Sequence, residues 1–505
     1  MRNGKLNRRR FMKLMGAGTL AAGTFSRMFS SPVQAAGASD MWNWKDPRRP
    51  LTVKPVLVYH IPQRREARTW RSWGGLHSEA DAKKEARKIE QELSQMRQNA
   101  DFPLEIQSVE MVNSGDKAGE IAKTDCDAIL VYAASGGRGW YEAICSGDQQ
   151  CLFFVRHRSG PVYLWYEIIH PRLLRKQTDE DIQEGVTVHD VVVDKYEDLA
   201  WRLRALCGLV NIRETTIIAF GGPAGWGKVG RQHGPKVARD VWNLDIKDIS
   251  RQELVKGMEQ IEKDEKLMQT CKAEMKDYLA GEGVRGIQTE KKYILNSFKL
   301  RRVIRDVMRR ENAVAMTING CMNLGRWVDT SPCLAFSLIN DEGVMAFCES
   351  DFVVIPSGIL MRYISGNPAF LNDPTYPHHG VMTAAHCSAP RRMNGEDLEP
   401  APIVTHYESD WGATAKVLFK KGQTVTNVIP SFTSDEWVGV RGKVLDHPSM
   451  DICRSQMDIE LEADCTELLE EMEGFHWMTV YGDYMKEIGY VLNKTGYTTW
   501  KPMEA

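Results

Sequence analysis

Beyond the first forty residues, the 505-residue chain has no uncharged apolar run approaching the roughly 20 residues that a membrane-spanning helix requires. The mature protein is therefore expected to have no transmembrane span. It also lacks a surplus of positive charge. The formal net charge is −2, and setting aside the first 35 residues, which carry seven Lys or Arg and no acid, leaves −9. A mildly acidic globular chain is a poor partner for nucleic acid. No cysteine cluster has iron–sulfur spacing, which argues against an iron–sulfur oxidoreductase. The eleven cysteines are odd in number and scattered, so no disulfide framework is indicated. Most lie in apolar runs such as CLAF and AFC and read as small buried hydrophobes.

What is present begins at the N-terminus. Arg8, Arg9 and Arg10 precede Phe11, Met12 and Lys13, a short weakly apolar run extends to Phe25, and Val33-Gln34-Ala35 offers small residues at cleavage spacing. That order resembles a twin-arginine signal over 1–35, and implies export to the periplasm or cell envelope.

Downstream, KPVLVYH, LEIQSVEM, CDAILVYA and CLFFVRH read as strands, separated by helical stretches such as Ser78 to Met96. A helix from Lys195 to Leu209 leads into TTIIAFGG. Strands alternating with helices indicate an α/β region with a largely parallel sheet. Ser250 with Glu253 reads as a capping box opening a charged helical region. AVAMTING then reads as a strand. After about Thr383 the runs IVTHYES, ATAKVLF, TVTNVIP and RGKVLD predict a β-rich domain. With roughly 470 residues, two or three domains are expected.

The stretch GGPAGWGKVG, Gly221 to Gly230, matches G-x-x-x-x-G-K through Gly222, Gly227 and Lys228. A phosphate-binding loop needs a hydroxyl next, to hold Mg²⁺, and Val229 stands there. Pro223 and Trp226 also crowd the backbone. The loop is expected instead to line a ligand cleft, with Trp226 as a stacking surface.

Three later stretches carry candidate chemistry. Glu349 and Asp351 in CESD lie two apart at an expected strand end, where alternate side chains share one face and a carboxylate pair can hold a cation or divide acid and base roles. HHGVMTAAHCSAP supplies His386, and THYESDWG supplies His406, Glu408 and Trp411. FHWMTVYGD supplies His476. Their spacing fits no standard zinc finger or protease pattern.

Taken together, PCLAFSLINDEG, CESD, SGNPAF, TAAHCSAPRRM, THYESDWG and FHWMTVYGD resemble conserved blocks of the L-fucose isomerase-like superfamily, best over about Thr317 to Asn493. The resemblance implies two doubly wound α/β domains (50–215 and 216–382), a β-rich C-terminal domain (383–505) and a homo-oligomer. It also implies aldose–ketose isomerisation of a sugar or sugar derivative. A divalent metal, Mn²⁺ in active members, holds two sugar oxygens while acidic residues pass a proton between C1 and C2 through an ene-diol. Carried over by position, Asp351 and His476 match metal ligands, Asp351 is also a catalytic candidate, and Glu349 is a further ligand and catalytic candidate. Glu408 is a catalytic candidate, whereas His386, His406, Arg326 and Trp226 would face the substrate. One departure stands out. Where the family places a catalytic glutamate, CMNLGRWVDT offers Asn323, Arg326 and Trp327. The alternative implied is a carbohydrate-binding or assembly protein on the same fold.

Overall fold

The computed structural model describes residues 46–71, 73–164, 174 and 185–504, so the export signal expected at 1–35 lies outside the described residues. Numbered in chain order, the first strands are β1 (Leu51–Val58), β2 (Leu104–Ile106), β3 (Glu110–Val112), β4 (Ala128–Ala133), β5 (Gln150–Val155) and β6 (Val191–Val193). They form a parallel sheet in the order β2-β1-β4-β5-β6, with β3 also paired to β1. The apolar runs AILVYA and QCLFFV explain the arrangement. β4 is buried along its whole length and β5 nearly so, as a parallel sheet covered on both faces requires. The helix Glu79–Gln98 is started by Ser78, whose hydroxyl accepts from the Asp81 amide.

A second parallel sheet contains β7 (Thr216–Phe220), β8 (Asp245–Ile249), β10 (Ala315–Ile318) and β11 (Met345–Phe347), ordered β11-β10-β7-β8. The chain leaves β7 toward one side and β10 toward the other. A crevice therefore opens beyond their C-terminal ends, the position at which such sheets bind ligands. The helix Gln252–Lys263 after β8 corrects the expected capping box. The helix starts without a side-chain cap at Arg251, Ser250 Oγ accepts only from the Gln252 amide at 3.3 Å, and Glu253 pairs with Arg310.

The C-terminal part is β-rich, as expected. Strands β12 (Phe370–Pro374), β13 (Val381–His386), β16 (Thr424–Pro430), β17 (Glu436–Asp446), β18 (Ser455–Leu461) and β19 (Trp477–Tyr481) pair antiparallel in the order β16-β19-β12-β13-β18-β17. β17 also pairs β16, which closes a six-stranded barrel. β20 (Thr499–Met503) adds in parallel to β17. A small sheet of β9 (Val284–Gln288), β14 (Ala401–Val404) and β15 (Thr414–Ala415) stands apart.

Two devices tie these parts together. The helix Tyr196–Ile212 packs on the helices Ile355–Ser365 and Met485–Thr495. Gly208 permits that approach, because a Cβ there would lie 2.6 Å from Ile364 Cγ1. The late helix also reaches the first sheet through charge. Fully buried Asp190 receives Tyr490 Oη at 2.6 Å and pairs with Lys494 Nζ at 2.6 Å, while Arg204 pairs with Glu487 at 2.7 Å.

Candidate metal centre

Three segments meet in the crevice beyond β7 and β10. The first is the glycine loop after β7. Gly221, Gly222 and Gly227 have φ of 82°, 88° and 64°, the left-handed region that glycine enters without steric cost. This turns the chain back sharply, and Trp226 precedes the helix Gly227–Asp240 at the cleft edge. The amide of Trp226 donates to Asp351 Oδ1 at 3.1 Å, so a donor that a phosphate loop would need is already committed.

The second segment follows β11. The strand ends at Phe347, and Glu349 and Ser350 both take left-handed φ, 63° and 57°. The expected sharing of a strand face is therefore not what positions Glu349 and Asp351. A tight turn does so, pinned by Ser350 N–H to Thr317 Oγ1 (2.9 Å) and Ser350 Oγ–H to the Gly222 carbonyl (3.0 Å).

The third segment is one end of the barrel. Asp373 in β12 is in register with Ala385 of β13, and neighbouring Asn372 pairs with Trp477 of β19. This brings Asp373, His386 and His476 together. With the first two segments, Asp373 and His386 line a cavity of about 1130 Å³, and His476 adjoins it.

Its floor is a cluster of carboxylates and imidazoles. His476 Nδ1 contacts Asp351 Oδ2 at 2.7 Å. Asp351 Oδ1 takes the amides of Trp226 and Val353, both at 3.1 Å, so this carboxylate is fully engaged in holding the ring. The other nitrogen, His476 Nε2, lies 3.2 Å from Asp373 Oδ1 and 3.6 Å from Glu349 Oε2. The Asp373 contact does not have the geometry of a hydrogen bond, and among the described residues both His476 Nε2 and Asp373 Oδ1 are buried without a hydrogen-bond partner. Glu349 Oε1 is 3.6 Å from His386 Nε2.

Burial opposes charge on His476, but Asp351 and Asp373 outweigh it and raise the imidazole to about 10. Burial likewise opposes charge on His386, and Glu349 and Asp373 raise it to about 9. The carboxylates respond in kind. Burial pushes Glu349 and Asp373 up, and the neighbouring imidazoles more than reverse it. With three carboxylates set against two imidazoles, the locus keeps a surplus of negative charge that favours a cation.

Of the residues singled out from sequence, Glu349, Asp351, His386, His406, Glu408, Arg326 and Trp226 line this cleft, and His476 adjoins its floor. His406 Nδ1 is engaged with Ser409 Oγ at 3.0 Å. Trp226 stacks on Phe475 with ring centroids 4.4 Å apart and planes 11° apart, forming an aromatic platform at the rim. Sequence reasoning missed Asp373, whose only signal was a charged residue late in the apolar strand run FLNDP. It also missed a second grouping. Cys321, Cys333, Cys348, Cys387 and Cys453 all line the same cleft, with the Cys321 and Cys348 sulfurs 3.4 Å apart. No protein-family model matches the chain, and no curated protein is significantly similar to it.

Proposed function

We propose that this chain is a divalent-metal-dependent enzyme acting on a sugar or sugar derivative, most simply an aldose–ketose isomerase with an organisation like that of the L-fucose isomerase-like superfamily. The observation that carries the reading is the pair of buried, hydrogen-bond-free atoms His476 Nε2 and Asp373 Oδ1, 3.2 Å apart beside Glu349 at the floor of a roomy cleft. An imidazole nitrogen and two carboxylates fit a cation of the Mn²⁺ class. A metal held by Glu349, Asp373 and His476 would polarise a substrate carbonyl and acidify the adjacent C–H.

The chain's own residues do the rest. Asp351 fixes the ring of His476, the carboxylate–histidine arrangement that orients a ligand nitrogen. Glu408 lines the cleft and has neither hydrogen bond nor ion pair among the described residues, so it takes up and returns the substrate proton. The Trp226–Phe475 platform receives an apolar sugar face and excludes water from one side of it. The N-terminal sequence supports export to the periplasm or cell envelope, and the resemblance supports a homo-oligomer.

The test is elemental analysis of the purified protein together with an aldose screen that reads deuterium uptake from solvent at C2. Wild type is expected to carry metal and exchange. Asp373→Asn with His476→Ala loses both, whereas Glu408→Gln keeps the metal and loses turnover by about 10²–10⁴-fold. Full isomerisation by the metal-free double variant overturns the proposal. A second reading, a carbohydrate-binding or assembly protein without chemistry, is favoured by Arg326 at the cleft where the family places a glutamate. It predicts sugar-dependent quenching of Trp226 fluorescence with no exchange in metal-loaded protein.

A further inference from the structure

We infer that Glu349 bridges two cation subsites and that the second subsite carries sulfur; this rests on the metal-dependent reading above. The two oxygens of Glu349 face different imidazoles, Oε1 toward His386 Nε2 and Oε2 toward His476 Nε2, each at 3.6 Å. On the Oε2 side lies Asp373, which completes the subsite already described. On the Oε1 side, one ligand atom each from Cys348, Glu349 and His386 lie within 4.8 Å of one another. Bonds of roughly 2.0–2.3 Å to a tetrahedral ion separate its donors by somewhat less than that, so modest side-chain closure suffices.

Two further observations point to a ligand on this side. His386 is 4% exposed, its Nδ1 is engaged with Ser388 Oγ at 2.9 Å, and its Nε2 faces Glu349 Oε1 at 3.6 Å. The backbone also contributes. In an extended strand, Cys348 and Glu349 would point to opposite faces. The left-handed turn at Glu349 and Ser350 instead sends both side chains into one cavity, and strain of this kind persists where the surroundings enforce it.

The donor sets differ in character. Sulfur, imidazole and carboxylate suit a borderline ion of the Zn²⁺ or Fe²⁺ class, whereas two carboxylates and an imidazole suit Mn²⁺. A shared carboxylate places two such ions roughly 3.5–4 Å apart, the separation at which a pair clamps two substrate oxygens. The Cys321 sulfur, 3.4 Å from that of Cys348, lies directly behind this donor.

The experiment is a titration of the metal-stripped full chain with Co²⁺, read by bound equivalents and by thiolate-to-cobalt charge-transfer absorption. Wild type is expected to take two equivalents per chain, only one of them giving the absorption. Cys348→Ser and His386→Gln should each take one equivalent without the band, and His476→Ala one equivalent with it. Circular dichroism and melting temperature compared with stripped wild type show that the variants fold. Saturation of wild type at one equivalent, or a Cys348→Ser variant that keeps two equivalents and the band, overturns the bridge. Two equivalents with the band but no isomerisation of any aldose sinks the catalytic reading and leaves the bridge standing. Turnover with one equivalent and no band does the reverse.

Discussion

Glu349 and Ser350 occupy a backbone region that costs an L-residue about 1–2 kcal/mol each. The hydrogen bonds from Ser350 to Thr317 and to the Gly222 carbonyl offset that cost. Thr317→Val keeps the shape of the side chain but leaves the buried Ser350 amide without a partner. Urea unfolding should show a loss of about 1–3 kcal/mol, and unchanged stability would mean that the turn needs no such pin. A second expectation concerns Asp351, whose two oxygens serve His476 and two backbone amides. Asp351→Asn should weaken metal binding by about 10–100-fold while leaving the other donors in place. Isothermal titration decides this, and wild-type affinity would remove the anchoring role. Little of this turn was legible in the sequence. Left-handed turns are read from glycine, and neither residue is one. Asp373 was hidden for a different reason, because the pairing of β12 with β19 brings His476 beside it and the turn after β11 supplies Glu349, and neither is readable from the run FLNDP.

At the scale of elements, the parallel sheets were legible because burial on both faces leaves continuous apolar runs, as in AILVYA and TIIAF. The capping box at Ser250 was misread because Glu253 has a stronger attraction, the guanidinium of Arg310. Barrel closure was not legible, since the β-rich composition shows strands but not which of them pair. One contact joins the barrel to the turn that follows the helix Gly227–Asp240. Trp437 in β17 stacks on Trp242 with centroids 5.2 Å apart, and both rings are fully buried. Trp437→Ala should cost about 3–5 kcal/mol in chemical denaturation. A loss below about 1 kcal/mol would show that this joint can collapse without penalty.

For the molecule as a whole, the cysteines illustrate what composition can and cannot say. Seven of the eleven are buried, as small hydrophobes should be, yet five converge on one cleft from separate segments of the chain. Global stability should also depend on pH through Asp341. Burial raises this carboxyl to about 6 although it accepts the amides of Arg391 and Arg392. Against an unfolded value near 3.9, the folded state holds the proton more tightly. Its contribution is therefore full below about pH 4 and lost as pH rises through 6, up to about 3 kcal/mol. Asp341→Asn should flatten that part of the profile in urea melts at successive pH values, and parallel profiles would reassign it. Finally, Asp190 has a consequence for biosynthesis. Its partners Tyr490 and Lys494 lie on the last helix, and that helix also packs on Tyr196–Ile212. During translation Asp190 Oδ2 is met locally by the Thr187 amide and hydroxyl, but Oδ1 waits for Tyr490, 300 residues later in the chain.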